Sequence, residues 1–353
     1  MRLFSSTLCG AVAIGLFAGC TGNNPSPSSA MPSAGSAVQF DNARPQWSKY
    51  ATIVPARLRP TGPMPLRGRQ APLSAIRGIY ASEYYGSSIL GYPHKNRPNG
   101  PPTCSVSPAS YVHDVAVDGQ GNLIDPDGGT HTIIVYSGAS MCGPLLGTIA
   151  DPYGQPSDAA SANAATGTIA VANVFDNSDA AGSISLCTMS GGCTSNLTNP
   201  NMYKVAGVAM DKKGNCWASA LNESSGATLT YFAGCTGAGV AATGFENSSY
   251  GGLDIDRKGN LVSIDIYASA LYVYSGCNPA CTLVGGPFPL EGESAFGHVG
   301  HENLRFTAGD FANGQVDIYC YSATGLYYMY SFNNGLSASL SVEGAAYIPR
   351  SRE

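Results

Sequence analysis

Three stretches of this chain repeat one short pattern, and that pattern limits the fold more than any other feature. They are Val112-His113-Asp114-Val115-Ala116-Val117-Asp118-Gly119-Gln120-Gly121-Asn122-Leu123, Val205-Ala206-Gly207-Val208-Ala209-Met210-Asp211-Lys212-Lys213-Gly214-Asn215-Cys216 and Gly251-Gly252-Leu253-Asp254-Ile255-Asp256-Arg257-Lys258-Gly259-Asn260-Leu261. Each is an apolar strand, then Asp-x-x-Gly-Asn, then a second strand. A degenerate copy covers residues 158–171, with Asn163 and Gly167 in the turn, and another surrounds Asn303-Leu304-Arg305-Phe306, where the turn Asp is replaced. In such a turn the Asp side chain caps the exposed amides, and Gly supplies the positive φ of the reversal.

The turn positions 118, 163, 211 and 256 are 45, 48 and 45 residues apart. A third strand of common type follows each second strand: 88–92, 132–136, 182–186, 227–231, 270–274 and 315–319, six in all. A period in the forties with about four short strands predicts a propeller rather than a helical solenoid. The first blade begins at Arg77-Gly78-Ile79-Tyr80-Ala81-Ser82, which matches a second strand and has no first strand before it. Val342-Glu343-Gly344-Ala345-Ala346-Tyr347-Ile348 copies the missing piece. The fold class expected is therefore all-β, a six-bladed β-propeller over 76–353 whose C-terminal strand closes the N-terminal blade. Closure removes the unpaired edges that an open array would leave.

The segment before the repeats is of another kind. Arg2, an apolar run through Phe17 and Leu16-Phe17-Ala18-Gly19-Cys20 make a secretory signal over 1–19, too short to span a bilayer as a helix. Cysteine directly after Ala-Gly gives it the lipoprotein form. Cys20 would become the diacylated N-terminus, held to a membrane by acyl chains worth about 0.8 kcal/mol per buried methylene. Thr21 stands where an inner-membrane lipoprotein commonly has Asp, which favours an outer-membrane or cell-surface address. Residues 20–75 are rich in Pro, Ser, Ala and Gly and carry Arg44, Lys49, Arg57, Arg59, Arg67 and Arg69 against Asp41. Such a segment buries too little apolar area to offset its ordering entropy and is expected to be a tether. The net charge of −5 argues against a general nucleic-acid binder, and a monomer is expected.

The Asp-x-x-Gly-Asn turn resembles that of the NHL-repeat and SMP-30/gluconolactonase-like six-bladed propellers, a resemblance that covers residues 77–349 and rests on turn grammar and period. The fold hosts lactonases, lyases, ligand binders and docking platforms, so it does not choose among functions. The resemblance to gluconolactonase-like enzymes implies a divalent metal held by a Glu, Asn residues and an Asp on the inner strands. Here the corresponding places include Ala206 and Gly251, which carry no ligand atoms. Streptogramin-lyase-like propellers imply a His/Glu pair on the channel face. His301 and Glu302 are adjacent, so on a strand they would point to opposite faces.

An exported chain with nine cysteines beyond Cys9 and Cys20 should hold disulfides. Cys187/Cys193 and Cys277/Cys281 bracket the turns leaving third strands, Cys216/Cys235 flank a hairpin, and Cys104/Cys142 would join neighbouring blades. Cys320 is then left over. The Cys-x3-Cys of 277/281 has no second ligand pair at zinc spacing.

A propeller offers one favoured location for a site, the mouth of its central channel. Aligning the repeats puts His113, Asp158, Ala206, Gly251 and Glu343 at equivalent inner positions, with Asp114, Tyr203 and Tyr250 nearby and His298, His301 and Glu302 from the sixth blade. Acids and a His converging there can bind a cation or act as acid and base. Isolated polar residues at strand starts, however, usually satisfy backbone groups, so no cofactor or metal is expected and no catalytic set is assigned. Exposed tyrosines (Tyr84-Tyr85, Tyr203, Tyr250, Tyr267, Tyr327-Tyr328) favour sugar or protein contacts, whereas tyrosines of the third strands should pack between blades. The expected function is a surface-anchored, non-enzymatic platform for a protein or glycan ligand. The alternative is a hydrolase or lyase at the channel mouth using His113, Asp158 and Glu343.

Overall fold

The computed structural model describes residues 78–93, 100–107, 110–161, 167–178, 181–222, 226–300, 305–337 and 342–348. The expected signal peptide, Cys20, the tether, Asn163, His301 and Glu302 lie outside them. Among the described residues, twenty-four strands form six four-stranded antiparallel sheets. Blade 1 holds β1 (Gly78–Glu83), β2 (Ser88–Pro93) and β3 (Cys104–Val106), and blade 2 holds β4 (Ala116–Val117), β5 (Leu123–Asp127), β6 (Thr132–Tyr136) and β7 (Leu145–Ala150). Blade 3 holds β8 (Gly154–Ser161), β9 (Thr168–Asp176), β10 (Ser183–Thr188) and β11 (Gly192–Leu197). Blade 4 holds β12 (Lys204–Met210), β13 (Cys216–Asn222), β14 (Gly226–Phe232) and β15 (Val240–Ala241). Blade 5 holds β16 (Leu253–Ile255), β17 (Leu261–Asp265), β18 (Ala270–Ser275) and β19 (Thr282–Pro289). Blade 6 holds β20 (Gly297–Val299), β21 (Arg305–Asp310), β22 (Gln315–Ser322) and β23 (Gly325–Phe332).

The last strand, β24 (Val342–Tyr347), joins blade 1 in the order β24-β1-β2-β3, with Tyr80 opposite Ala346 and Ala81 opposite Ala345. The tail of the chain thus supplies the innermost strand that its first blade lacks. Closure also shows in the core, where an apolar cluster fills each gap between neighbouring blades. Ile79, Leu90 and Tyr92 of blade 1 meet Val316, Ile318 and Phe332 of blade 6, just as Tyr80 and Ile89 meet Leu123 and Tyr136 of blade 2. Third-strand tyrosines serve these gaps, as expected. Tyr274 and Tyr319 are buried, and their hydroxyls accept the Glu246 and Glu291 amides at 3.0 and 2.8 Å.

The repeated turn has one geometry in three blades. Oδ1 of Asp118, Asp211 and Asp256 accepts the amides two and four residues on at 2.8–2.9 Å, and Oδ2 accepts the Asn side-chain amide at 2.8–2.9 Å. Gly121, Gly214 and Gly259 sit at φ 83°, 84° and 82°, a conformation costly to any residue with a Cβ.

Disulfides join Cys104–Cys142, Cys187–Cys193, Cys216–Cys235 and Cys277–Cys281, the four pairs expected. Cys320 is disulfide-bonded as well, which corrects the expectation that it is left over. Such bonds persist in oxidising compartments and fit an exported protein. Among the described residues no helix is long and apolar enough to cross a membrane.

Candidate functional site

First strands begin, and second strands end, on the same face of the ring, as the bridge between Val112 and Asp127 shows. On this face the second strands of blades 1, 2, 5 and 6 end in buried carboxylates: Glu83, Asp127, Asp265 and Asp310. They fold the turns that follow. Asp127 Oδ1 accepts the Gly129 and Thr130 amides at 3.1 and 3.0 Å, Asp265 Oδ1 that of Ala268 at 2.9 Å and Asp310 Oδ1 that of Asn313 at 3.1 Å. Three of these turns carry aromatics: Tyr84-Tyr85 in blade 1, Tyr267 in blade 5 and Phe311 in blade 6. Tyr85 and Tyr267 are 62% and 51% exposed.

Beneath Tyr84 lie His113 and Glu343, whose Nδ1 and Oε2 are 2.6 Å apart and which are both buried. The Tyr84 ring stacks on Tyr111 at 5.0 Å and tilts over His113 at 4.9 Å, with Tyr85 edge-on at 4.8 Å and Phe311 6.5 Å beyond Tyr85. The mouth between blades 6, 1 and 2 is thus an aromatic shelf on a buried His–carboxylate floor.

A second cluster contains Asp114, Asp158, His298 and Asp254. His298 Nε2 is 3.0 Å from Asp114 Oδ2, and His298 Nδ1 is 3.6 Å from Asp254 Oδ2. Asp158 Oδ2 accepts the Val208 amide at 2.8 Å. These four residues come from blades 2, 3, 5 and 6, and only the axis of a six-bladed ring lets side chains from non-adjacent blades meet. Burial opposes charge on His298, but the carboxylates of Asp114 and Asp254 outweigh it and hold its pKa well above the usual histidine range. Burial, reinforced by the charge of Asp114, pushes Asp158 well above the usual carboxylate range. Both shifts favour the protonated forms, so the cluster favours an imidazolium among carboxyl groups, with Asp158 the carboxyl that holds a proton most readily.

Pairing corrects one alignment. Val117 opposes Leu123 and Ser161 opposes Ile169, while Leu123 and Ile169 oppose Tyr136 and Cys187, which follow the same third-strand bulge. Counting back three places makes Asp158 the equivalent of Asp114, and Ser157 takes the place of His113. The connection from Ser161 to Ile169 is two residues longer than that from Val117 to Leu123, and this produces the offset.

The other expected residues are placed apart from these clusters. Tyr203 is half-buried with its ring 6.3 Å from Phe175, and Lys204 Nζ lies 5.5 Å from the Phe175 ring. Tyr250 is buried with Ala206, Ala295 and Phe296. His301 and Glu302 lie outside the described residues. Asp254 was not among the expected residues. Its signal is legible once strands are aligned, because blades 1, 2 and 4 carry Ala346, Ala116 and Ala209 at the place where blades 5 and 6 carry Asp254 and His298.

No protein-family profile matches the chain, and no curated protein does. Solved structures do match in fold. A functionally unknown protein from Desulfotomaculum acetoxidans DSM 771 is 15% identical, with 75% of this chain and 82% of that one covered at a TM-score of 0.51. A protein of unknown function from Bacteroides caccae is 11% identical over 78% and 99% of the two chains at 0.52. A chain of a nidogen/laminin complex is 14% identical over 78% and 100% at 0.54. At these identities the similarity concerns the fold alone: the chain is similar to β-propellers of six blades.

Proposed function

We propose that this chain is an exported lipoprotein of the NHL/SMP-30-like kind, anchored through Cys20, which presents its propeller as a non-enzymatic glycan-binding platform. The observation that carries the reading is the aromatic shelf. Neighbouring turns place Tyr84 and Tyr85 on one face, with Tyr85 62% exposed and backed by the buried Phe311. An aromatic ring offers apolar area to the C–H face of a sugar while its hydroxyl stays wet, at low conformational cost. The buried His113–Glu343 pair holds Tyr84 from below and keeps the shelf rigid before ligand arrives. Tyr267 extends the same face toward blade 5 and suits a chain of several sugars rather than one.

The test is affinity electrophoresis of the whole exported chain through gels containing host-envelope and plant polysaccharides. Retardation by at least one polysaccharide, lost in Tyr85→Ala and weakened in Tyr267→Ala, is the expected result. Equal mobility in every gel, or retardation indifferent to both substitutions, would overturn the glycan reading. Metabolic labelling with radioactive palmitate, present in the natural chain and absent from Cys20→Ser, tests the anchor separately.

A further inference from the structure

We propose that Asp114, Asp158 and His298 form a binding site for one divalent transition-metal ion on the propeller axis. One ligand atom from each of the three lies within 4.8 Å of the others, a span that small inward shifts close around an ion with bonds of about 2.0–2.2 Å. Asp114 Oδ1 and Asp158 Oδ1 are buried and accept no N–H or O–H from any other described residue; the two carboxyl groups face each other. Their residues are 1% and 0% exposed. Carboxylate oxygens left only to each other at that depth cost on the order of 1–3 kcal/mol or more, and a divalent cation is the partner that satisfies both together.

The imidazole is oriented for the same role. Asp254 stands behind His298 Nδ1 at 3.6 Å and is itself fixed by the amides of Ile255 at 2.6 Å and Val299 at 2.8 Å. A carboxylate behind a ligating histidine sets the ring so that Nε2 faces the metal, and Nε2 here faces Asp114. The side chains of His298 and Asp254 are 15% and 26% exposed, so the cluster opens toward the channel for an incoming hydrated ion.

Two carboxylates and one imidazole with open positions suit Mn2+, Fe2+ or Zn2+ better than Ca2+, which takes six to eight oxygens. Binding displaces the protons that the apo cluster holds. The set makes no use of Ala206, Gly251 or Glu343, the level to which the gluconolactonase resemblance directs a metal. It also stands independently of glycan binding at the shelf.

The experiment is titration of the metal-free, full chain with MnCl2 followed by electron paramagnetic resonance, and with ZnCl2 and CaCl2 by calorimetry. One Mn2+ or Zn2+ per chain is expected, with Ca2+ at least tenfold weaker. Asp158→Asn and His298→Ala should each weaken binding more than tenfold, Asp254→Asn by about tenfold, and Glu343→Gln not at all. If His298→Ala does not fold, the Asp254→Asn and Glu343→Gln pair decides. No saturable Mn2+ or Zn2+ binding below 1 mM, or equal binding in Asp254→Asn and Glu343→Gln, overturns the proposal.

Discussion

His298 Nε2 lies 3.0 Å from Asp114 Oδ2 although 184 residues separate the two in sequence. The contact crosses the ring from blade 6 to blade 2, past blade 1, and so exists only because the sheets close around an axis. His298 also faces Asp254 of blade 5, and Asp158 of blade 3 lies against Asp114. Four blades are thereby tied at the centre by polar contacts, while each neighbouring pair is tied at its flank by apolar packing.

Replacing His298 with Ala leaves Asp114 buried without its cation. Removing one partner of a buried ion pair costs about 3–5 kcal/mol, mostly the penalty on the charge left behind. In metal-free buffer, chemical denaturation of His298→Ala should give a loss of about 3 kcal/mol. The double variant with Asp114→Asn should lose clearly less than the sum of the single losses, because no bare charge remains. Strict additivity would mean that the two side chains do not interact as the geometry has it.

Removal of β24 tests closure. Without residues 342–353, β1 loses its inner neighbour, and the clusters on both flanks of blade 1 lose Val342, Ala345, Ala346 and Ile348. An edge strand and two opened cores should abolish the single cooperative melt rather than lower it slightly. A truncated chain that melts as one sharp transition near the original temperature contradicts this arrangement.

The outline of the fold was legible because its determinants are local and repeated. Asp118, Asp211 and Asp256 sit four residues before an Asn and three before a Gly, and the structure gives all three one hydrogen-bond pattern. The missing first strand of blade 1 was legible for the same reason, since Val342 to Tyr347 spells a strand already seen elsewhere. Blade 3 was legible only to within a residue, because its turn lacks the Asp and is two residues longer than that of blade 2. The axial cluster was less accessible still. His113 and Glu343 could be nominated together because they share a repeat position, but the contact of His298 with Asp254 joins two substitutions at a place that is elsewhere Ala. Only the closed geometry shows that these substitutions meet.

Asp317 predicts a pH dependence of stability. It is buried in β22, accepts Gln315 Nε2 at 3.0 Å and the Tyr319 hydroxyl at 3.3 Å, and burial, with the nearby charge of Asp310, pushes its pKa up to about 7. A carboxyl whose pKa is raised on folding binds its proton more tightly in the native state. At pH 3 both states are protonated and Asp317 carries no penalty. Between about pH 4 and 7 the unfolded chain is ionised while the folded one is not, so stability falls as pH rises through this window and levels off above it. The full swing is about 4 kcal/mol at most. Asp317→Asn removes this contribution, so its stability relative to the natural chain should rise from pH 4 to pH 7.5 in urea denaturation. A constant difference between the two across that range would count against the raised value.

The disulfides should not contribute equally. Cys104 lies on β3 of blade 1 and Cys142 in the loop between β6 and β7 of blade 2, and among the four described bonds this one crosses between blades. Cys187–Cys193, Cys216–Cys235 and Cys277–Cys281 each stay within a blade. Chain-entropy stabilisation grows with the loop closed, to about 4 kcal/mol for the 38-residue separation of Cys104–Cys142 against about 2 kcal/mol for the 4-residue separation of Cys277–Cys281. The longer bond also fixes the loop whose Cys142 amide donates to the Tyr80 hydroxyl at 3.0 Å, so its loss loosens the blade 1–blade 2 core as well. Replacing Cys104 and Cys142 together with Ser should lower stability in urea by about twice as much as the same change at Cys277 and Cys281. Equal losses would indicate that the seam between blades 1 and 2 is held by its apolar packing and that the covalent link across it is dispensable.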